Sequence, residues 1–333
     1  MNYKNLKNNK LLIIAILSLC GFVAKAQYNK ENPLAHTYSI LAYDSVTGDI
    51  GVAVQSHWFS VGTVVTWAEA GVGAIATQSF SNPAFGPQGL ALLKTGLDAQ
   101  QVLNALIASD EGEAFRQVGV IDASGRAASH TGSKNIPFAG NIVGKHFSVQ
   151  ANLMANADVW PAMAMAFENA AGTLAERMIQ ALEAGEKAGG DVRGRQSAAV
   201  LVVSGQSTGK PWIDRKVDLR VDDHTEPLNE IRRLWEVHQA YEFMNQGDKA
   251  LEEEDYETAG VLYSKAEKMF PDNLEMQYWH AINLANSGKL KEALPMFKSI
   301  FSKDSNWKTL TPRLINNELL MVNEKELALI MKQ

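Results

Sequence analysis

The chain has 333 residues, of which 46% are apolar and 20% are charged. This composition supports a sizeable buried core and excludes a wholly disordered, collagen-like or multi-span membrane protein. The formal net charge of −6 disfavours a generally basic surface, so nucleic acid is not an expected partner. The length predicts one large domain with a smaller one, or two domains of ordinary size.

The first 26 residues have the pattern of a secretory signal peptide. Three lysines within the first ten residues precede an apolar run over residues 11–24, and Ala-Lys-Ala at 24–26 has the small residues that signal peptidase requires. The apolar run is too short for a comfortable transmembrane helix, and no second run follows it. The sequence therefore predicts an exported protein, periplasmic or extracellular, that does not span a membrane.

The only cysteine of the chain, Cys20, lies inside this segment. Once the segment is removed, the mature chain can form no disulfide, no thiolate metal site and no cysteine nucleophile. A lipoprotein with Cys20 as its lipidated terminus is a weaker alternative, because Leu19 stands where that motif takes a small residue.

From residue 37 to about 221, short strand patterns alternate with helical ones. Three hairpins are predicted, with strands at 37–43 and 50–55, at 63–67 and 73–78, and at 117–121 and 126–130. Helices are predicted at 86–94, 98–109, 159–169 and 173–187, and a buried strand at 197–203. Asp98 and Thr173 are the expected N-caps. Runs of strands separated by pairs of helices favour stacked layers of sheet and helix over a doubly wound parallel sheet.

Beyond residue 227 the pattern becomes continuously helical and contains a repeat. Ala259 and Tyr263 recur as Ala293 and Phe297, each 34 residues later, which is the period of a tetratricopeptide repeat. About two units fit, which is below the usual minimum of about three for an independent solenoid. We therefore expect this tail to pack against the first domain or against the helix at 228–243. We also expect it to offer a groove to a protein or peptide partner.

The expected organisation has four parts. They are a signal peptide at 1–26, a short pro-segment or linker at 27–36, a mixed domain at 37–227 and a helical tetratricopeptide-like region at 228–333.

Most familiar catalytic motifs are absent from the sequence. It has no Gly-rich phosphate loop with its lysine, no His-Glu-x-x-His and no Gly-x-Ser-x-Gly. Asp222-Asp223-His224 could chelate a metal, but a solvated turn before a helix is the favoured interpretation, because adjacent residues point in different directions. The acidic run at 252–255 is interpreted as a solvated face. We expect neither a metal nor an organic cofactor.

Thr37 opens a strand that immediately turns back on its partner, which places this residue at the edge of a sheet. If Thr37 were the first residue of the mature chain, its hydroxyl would be the nucleophile and its α-amino group, with a pKa of about 8, would be the base. The alternative is a β-branched residue that simply starts a strand.

This layout resembles the N-terminal-nucleophile hydrolases, whose mature chains begin with Thr, Ser or Cys, run through an apolar strand and return through small residues. More narrowly, residues 37 to about 234 resemble the family catalogued as domain of unknown function 1028. The motifs that carry this resemblance lie at 37–57, 61–74, 77–87, 193–198 and 218–224. The resemblance implies an α+β fold, a four-layer αββα sandwich of the N-terminal-nucleophile hydrolase type, here followed by the all-α tail.

The resemblance also implies a processing step. Cytoplasmic members of the family start Met-Thr, so removal of the methionine exposes the threonine that aligns with Thr37. In this chain, residues 27–36 would still cover Thr37 after signal cleavage. Activity therefore requires cleavage of the His36–Thr37 bond, by autoproteolysis or by another protease.

Three further residues are expected at the catalytic centre. Ser56 and Gln78 fall at the ends of strands that pair near Thr37, and Asn152 closes the segment at 147–152. Their hydroxyl or amide dipoles can stabilise an oxyanion, although ordinary hydrogen bonding at the end of a sheet is the alternative.

Substrate-binding roles are expected for Asn82, Arg193 and Arg195. The amide of Asn82 can line the mouth of the site, unless it only shapes the turn before Pro83. Either arginine can offer a bidentate fork to a substrate carboxylate. Pairing with Asp191, Asp218 or Asp222 is the alternative for both arginines.

The expected reaction is hydrolysis of an amide bond in a substrate that the sequence does not identify. Thr37 attacks the carbonyl, its amine shuttles the proton, Gln78 or Asn152 holds the oxyanion, and water releases the acyl group. One alternative is a non-catalytic cell-envelope protein that recognises peptide or peptidoglycan, since some relatives carry a C-terminal segment proposed to bind peptidoglycan. Another is transfer of the acyl group to an amine instead of water.

Overall fold

The structure is a computed structural model that describes residues 33–333. The predicted signal peptide at 1–26, with Cys20, and residues 27–32 of the predicted pro-segment lie outside the described residues. Within residues 33–333, the helices are too short or too polar to cross a membrane.

Strands and helices alternate through the first two thirds of the chain. In order they are β1 (Leu34–Ala35), β2 (Thr37–Tyr43), β3 (Ile50–Ser56), β4 (Thr66–Glu69), β5 (Gly73–Phe80), α1 (Phe85–Lys94), α2 (Ala99–Ala108), β6 (Arg116–Asp122), β7 (Ala127–Thr131), β8 (Gly140–Gly144), β9 (Phe147–Ala151), α3 (Val159–Asn169), α4 (Leu174–Lys187), β10 (Ser197–Val203), α5 (Pro211–Asp214) and β11 (Arg215–Val221). The helical region follows with α6 (Pro227–Glu252), α7 (Tyr256–Met269), α8 (Leu274–Asn286), α9 (Leu290–Lys303), α10 (Ser305–Leu310) and α11 (Glu324–Met331).

Local side-chain chemistry sets several of these boundaries. Asp98 accepts a hydrogen bond from the Gln101 backbone N–H in a capping box, and Thr173 caps α4 through the Glu176 N–H. The second hairpin begins at Thr66 rather than at the predicted residue 63. Residues 61–63 form a 3₁₀ turn instead, in which the Thr63 hydroxyl donates to the Ser60 carbonyl at 2.8 Å and competes with strand pairing.

The strands form two sheets in which every pairing is antiparallel. One sheet has the order β1-β5-β6-β7, with β4 also paired to β5, and the other has the order β11-β10-β3-β2-β9-β8. The predicted α+β fold, with antiparallel sheets and a helical C-terminal region, is confirmed.

The two sheets pack face to face, and helices cover their outer faces. Successive side chains of a strand point to opposite faces, so each strand contributes to two cores. The core between the sheets joins Leu41, Val52 and Val54 to Ala74, Ala76 and Ile121. The outer cores join α3, α4 and α6 to the six-stranded sheet, and α1 and α2 to the other sheet. Thr37 lies on the same face of β2 as Leu41 and therefore points between the sheets.

Helix α6 belongs to two cores. Leu228, Ile231 and Trp235 pack with the first domain, whereas Ala240 and Met244 pack with the helices that follow. Three of the pairs that recur at the 34-residue spacing are buried, with Ala259, Tyr263 and Ala266 in α7 and Ala293, Phe297 and Ile300 in α9. A fourth pair at this spacing, Tyr256 and Leu290, is half-buried.

Candidate active site

Thr37 and Ser56 face each other at the open end of the first hairpin. The register of β2 and β3 pairs them directly, and both are fully buried. The Thr37 hydroxyl donates to the Ala35 carbonyl at 2.7 Å and lies 3.3 Å from the Ser56 Oγ. The hydroxyl of Thr37 is thereby held beside the backbone that precedes it.

The carbonyl of His36 belongs to the peptide bond that joins it to Thr37, and it receives two donors. The Ser56 hydroxyl donates to this oxygen at 2.5 Å, and the Arg193 Nη2 donates at 2.8 Å. One of the two donors carries a full positive charge. Such an arrangement stabilises negative charge that develops on the oxygen when its carbon is attacked.

Asp191 fixes the orientation of Arg193. Its carboxylate accepts from the Arg193 Nε at 3.0 Å and from Nη2 at 2.7 Å, a bidentate pair, while it also accepts from the His57 backbone N–H. The Asp191 side chain is fully buried. The chain reaches it through Gly189 and Gly190, both with positive φ (132° and 57°), a conformation that favours glycine.

The residues before Thr37 form the short strand β1 at the edge of β5. Leu34 pairs with Phe80 and Ala35 with Ser79, and the Ser81 N–H donates to the Pro33 carbonyl at 2.9 Å. The chain then crosses from one sheet to the other between Ala35 and Thr37. The sequence predicted only a pro-segment or linker here, with no strand.

Two amide side chains and one backbone N–H hold the carbonyl of Thr37 itself. Gln78 Nε2 donates to it at 3.2 Å and Asn152 Nδ2 at 3.3 Å, with the Asn152 backbone N–H at 3.0 Å. Both side chains also donate to Gln117 Oε1, at 2.7 and 2.8 Å. Gln78 and Asn152 therefore position Thr37 and do not contact the carbonyl that its hydroxyl would attack.

Gln117 is the centre of this network and was not identified from the sequence. Its Nε2 donates to the carbonyl of Ala151 at 2.8 Å and to the Thr131 hydroxyl at 2.9 Å, so it ties β6 to β7 and β9. Gln117 is fully buried between the sheets. A polar residue at the inward-facing start of a hairpin, as at Thr37, is the sequence feature that would have indicated it.

His36 lies in a closed site of its own. Its Nδ1 is 2.8 Å from Asn152 Oδ1, and its ring packs edge-on against Phe80 at 5.4 Å between centroids. Because Asn152 uses its NH2 group on two acceptors, its Oδ1 is the acceptor and His36 carries its proton on Nδ1. Burial lowers the pKa of His36 below its ordinary value. The hydrogen bond with Asn152 raises this pKa, and the charge of Arg193 lowers it further.

The other two predicted substrate-binding residues have partners elsewhere. Asn82 Nδ2 donates to Asp110 at 3.1 Å, and its Oδ1 accepts from the Ala84 N–H. Arg195 pairs with Glu186 and Glu226. Through Glu186, which accepts from the Tyr38 hydroxyl at 2.7 Å, Arg195 supports the outer face of β2. Within residues 33–333, no group of three or more His, Cys, Asp or Glu side chains is arranged to hold a metal ion.

The region of mixed strands and helices is similar to proteins of one known family. Residues 37–231 match the family described as "Family of unknown function (DUF1028)". The chain is similar to the crystal structure of a protein from Silicibacter pomeroyi whose description names the same family, with a TM-score of 0.54 and 31% sequence identity. The similarity covers 60% of this chain and 87% of that one. No curated protein matches the chain.

Proposed function

This chain belongs to the DUF1028 family, and we propose that it is an exported amide-bond hydrolase of the N-terminal-nucleophile type with Thr37 as its nucleophile. The observation that carries the proposal is the convergence of three groups on one peptide bond. The Thr37 hydroxyl lies beside that bond, while Ser56 and Arg193 both donate to its carbonyl oxygen.

The first reaction is cleavage of the chain's own His36–Thr37 bond. The Thr37 Oγ attacks the His36 carbonyl carbon, and Ser56 and Arg193 hold the oxyanion that forms. The C–N bond then breaks, the hydroxyl proton passes to the departing nitrogen, and an ester joins His36 to Thr37. Water hydrolyses this ester, which releases His36 as a carboxylate and restores the Thr37 hydroxyl next to a free α-amine.

The freed amine supplies the base that the intact chain lacks. An amide nitrogen has no available lone pair, whereas an α-amine with a pKa of about 8 is substantially neutral near that pH. In turnover the amine accepts the Thr37 hydroxyl proton, and the substrate carbonyl occupies the place of the His36 carbonyl. Ser56 and Arg193 then stabilise the same oxyanion, while Gln78 and Asn152 keep Thr37 in position.

The layer order and the tail give further support. The two sheets lie between two layers of helices, and Thr37 stands at the start of a strand between the sheets. This layer order is the one expected of the αββα sandwich of N-terminal-nucleophile hydrolases. The buried positions that repeat at 34 residues in α7 and α9 favour a tetratricopeptide-like tail that binds a protein or peptide. Export rests on the signal-peptide pattern of residues 1–26.

The proposal is tested by covalent labelling of the purified exported protein. A small, non-peptidic β-lactone should acylate Thr37 and add its mass to the fragment that begins with this residue. The Thr37→Ala variant should remain unlabelled, whereas Thr37→Ser, which keeps a hydroxyl, should still be labelled. Equal labelling of wild type and Thr37→Ala would contradict the proposal.

A further inference from the structure

We propose that residues 33–36 lie where the acyl part of the substrate binds, and that the substrate is an extended peptide that adds as a strand to the edge of β5. This inference rests on the proposed function of Thr37. The substrate class is inferred from residues 33–36, which occupy the site in the uncleaved chain.

The backbone of the segment makes the contacts that a peptide substrate would make. Leu34 and Ala35 pair antiparallel with Phe80 and Ser79, and the Pro33 carbonyl accepts from the Ser81 N–H at 2.9 Å. Because β6 occupies one edge of β5, β1 and β4 must share the other edge, end to end. When the cleaved segment leaves, it uncovers an unpaired strand edge beside Thr37, and an unpaired edge recruits another extended chain.

The side chains of the segment define three sites with different demands. Ala35 is fully buried in the core between the sheets, so its site accepts only a small residue. Leu34 is 36% exposed, so its site tolerates most side chains. His36 lies against Phe80 and bonds Asn152 Oδ1 at 2.8 Å, so its site favours a flat side chain with one hydrogen-bond donor.

The reaction on such a peptide follows from this placement. The peptide bond after the residue in the His36 site presents its carbonyl to Ser56 and Arg193. Thr37 Oγ bonds to that carbon, the C–N bond breaks, and the leaving amine takes the proton that the α-amine of Thr37 removed from the hydroxyl. Water then hydrolyses the ester and releases a peptide that ends in a carboxylate.

A series of fluorogenic peptides tests the inference on the mature wild-type protein. The reference is acetyl-Pro-Leu-Ala-His coupled through its carboxyl group to 7-amino-4-methylcoumarin. Replacing Ala by Trp should lower kcat/KM by at least about tenfold, because the fully enclosed site has no room for the ring. Replacing Leu by Ala should change it by less than about threefold, as expected for an exposed position.

Two modified peptides and one variant test the strand pairing and the His36 site. An N-methyl group on Leu or on Ala removes a backbone donor, and since alternate residues of a strand face its partner, at least one of the two peptides should lose most of its turnover. In the Phe80→Ala variant, the preference for His over Ala at the last position should fall, while the penalty for Trp in place of Ala should remain.

The outcomes separate this inference from the proposed function. This inference fails alone if the β-lactone labels Thr37 but no peptide of the series is cleaved. It also fails alone if Thr37 is labelled and the Ala and Trp peptides are cleaved equally well, or both N-methyl peptides are cleaved like the reference, because the substrate is then not bound as a strand. If Thr37 is neither labelled nor able to cleave any peptide, the proposed function fails and this inference with it. Selective cleavage of the reference peptide supports both.

Discussion

Ser56 faces Thr37 across the first hairpin, with 3.3 Å between the hydroxyl oxygens. The Ser56 hydroxyl nevertheless donates its hydrogen bond to the carbonyl of His36, at 2.5 Å. Ser56 therefore acts as a donor to the peptide bond that Thr37 would attack, and it does not serve as the base for Thr37. The proposed function needs Thr37 as the nucleophile and Ser56 as a hydrogen-bond donor, since an oxyanion is stabilised by donors that are in place before it forms.

The first prediction concerns the two donors to His36. Ser56→Ala removes one donor, and Arg193→Lys shortens the other while keeping its charge, so each should slow cleavage of the His36–Thr37 bond by about 10²–10³-fold. The measurement is a time course of intact mass on the chain that begins at Gln27. Arg195→Lys is the matched control, because Arg195 pairs with Glu186 and Glu226 instead. Cleavage at the wild-type rate in both variants would exclude the two groups as oxyanion donors.

The second prediction concerns Gln117, the centre of the amide network. Gln117→Leu leaves the amides of Gln78 and Asn152 without their shared acceptor in a fully buried place. The free energy of unfolding, measured with urea, should fall by about 1–3 kcal/mol for each stranded group. Gln100→Leu, on the exposed face of α2, should change it by less than about 0.5 kcal/mol. Similar values for the two variants would show that the network contributes nothing to stability.

The third prediction concerns pH and uses Thr37→Ala, in which the segment stays attached. Burial lowers the pKa of His36 in the folded chain below its ordinary value of about 6.5, so the unfolded chain binds the proton more readily. The stability that this difference contributes is complete above pH 6.5 or so and is lost as the pH falls from there towards the folded pKa.

Urea unfolding at a series of pH values checks the sign. Adding His36→Gln, which keeps a donor but cannot titrate, should flatten the part of the profile below about pH 6.5. An unchanged slope in the double variant would mean that His36 titrates in the folded chain as it does in the unfolded one.

The fourth prediction concerns α6, which serves two cores. A chain that ends at Glu226 loses Leu228, Ile231 and Trp235 from the first core, whereas one that ends at Glu242 keeps them. At about 1.5–3 kcal/mol for each buried side chain, the shorter chain should be several kcal/mol less stable towards urea. If the two chains unfold at the same urea concentration, the first domain does not depend on α6.

The sequence predicted the parts of the fold that local patterns determine. The strands β2 and β10 and the helix α3 have the predicted bounds, because alternation, turn residues and apolar spacing agree there. Besides β1 and β9, two further strands were not predicted. Gly140–Gly144 has glycine at both ends and a weak strand pattern, whereas Arg215–Val221 does alternate charged and apolar residues as an edge strand does.

The candidate site was less accessible from the sequence. Thr37, Ser56, Gln78 and Asn152 do lie together, since each stands at or within two residues of a strand end near the same hairpin. The roles within the group follow from side-chain directions, which no linear pattern contains. Only the structure shows that Arg193 and Ser56 share the His36 carbonyl, and that Gln78 and Asn152 bond one carbonyl further along the chain.

The central claim is that Thr37 becomes the first residue of the active protein, and N-terminal sequencing of exported, catalytically active material tests it most directly. We expect the active wild-type protein to begin Thr-Tyr-Ser-Ile, and Thr37→Ala to begin at Gln27 and to be inactive. Active protein that still begins at Gln27, or at any residue before Thr37, would contradict this account.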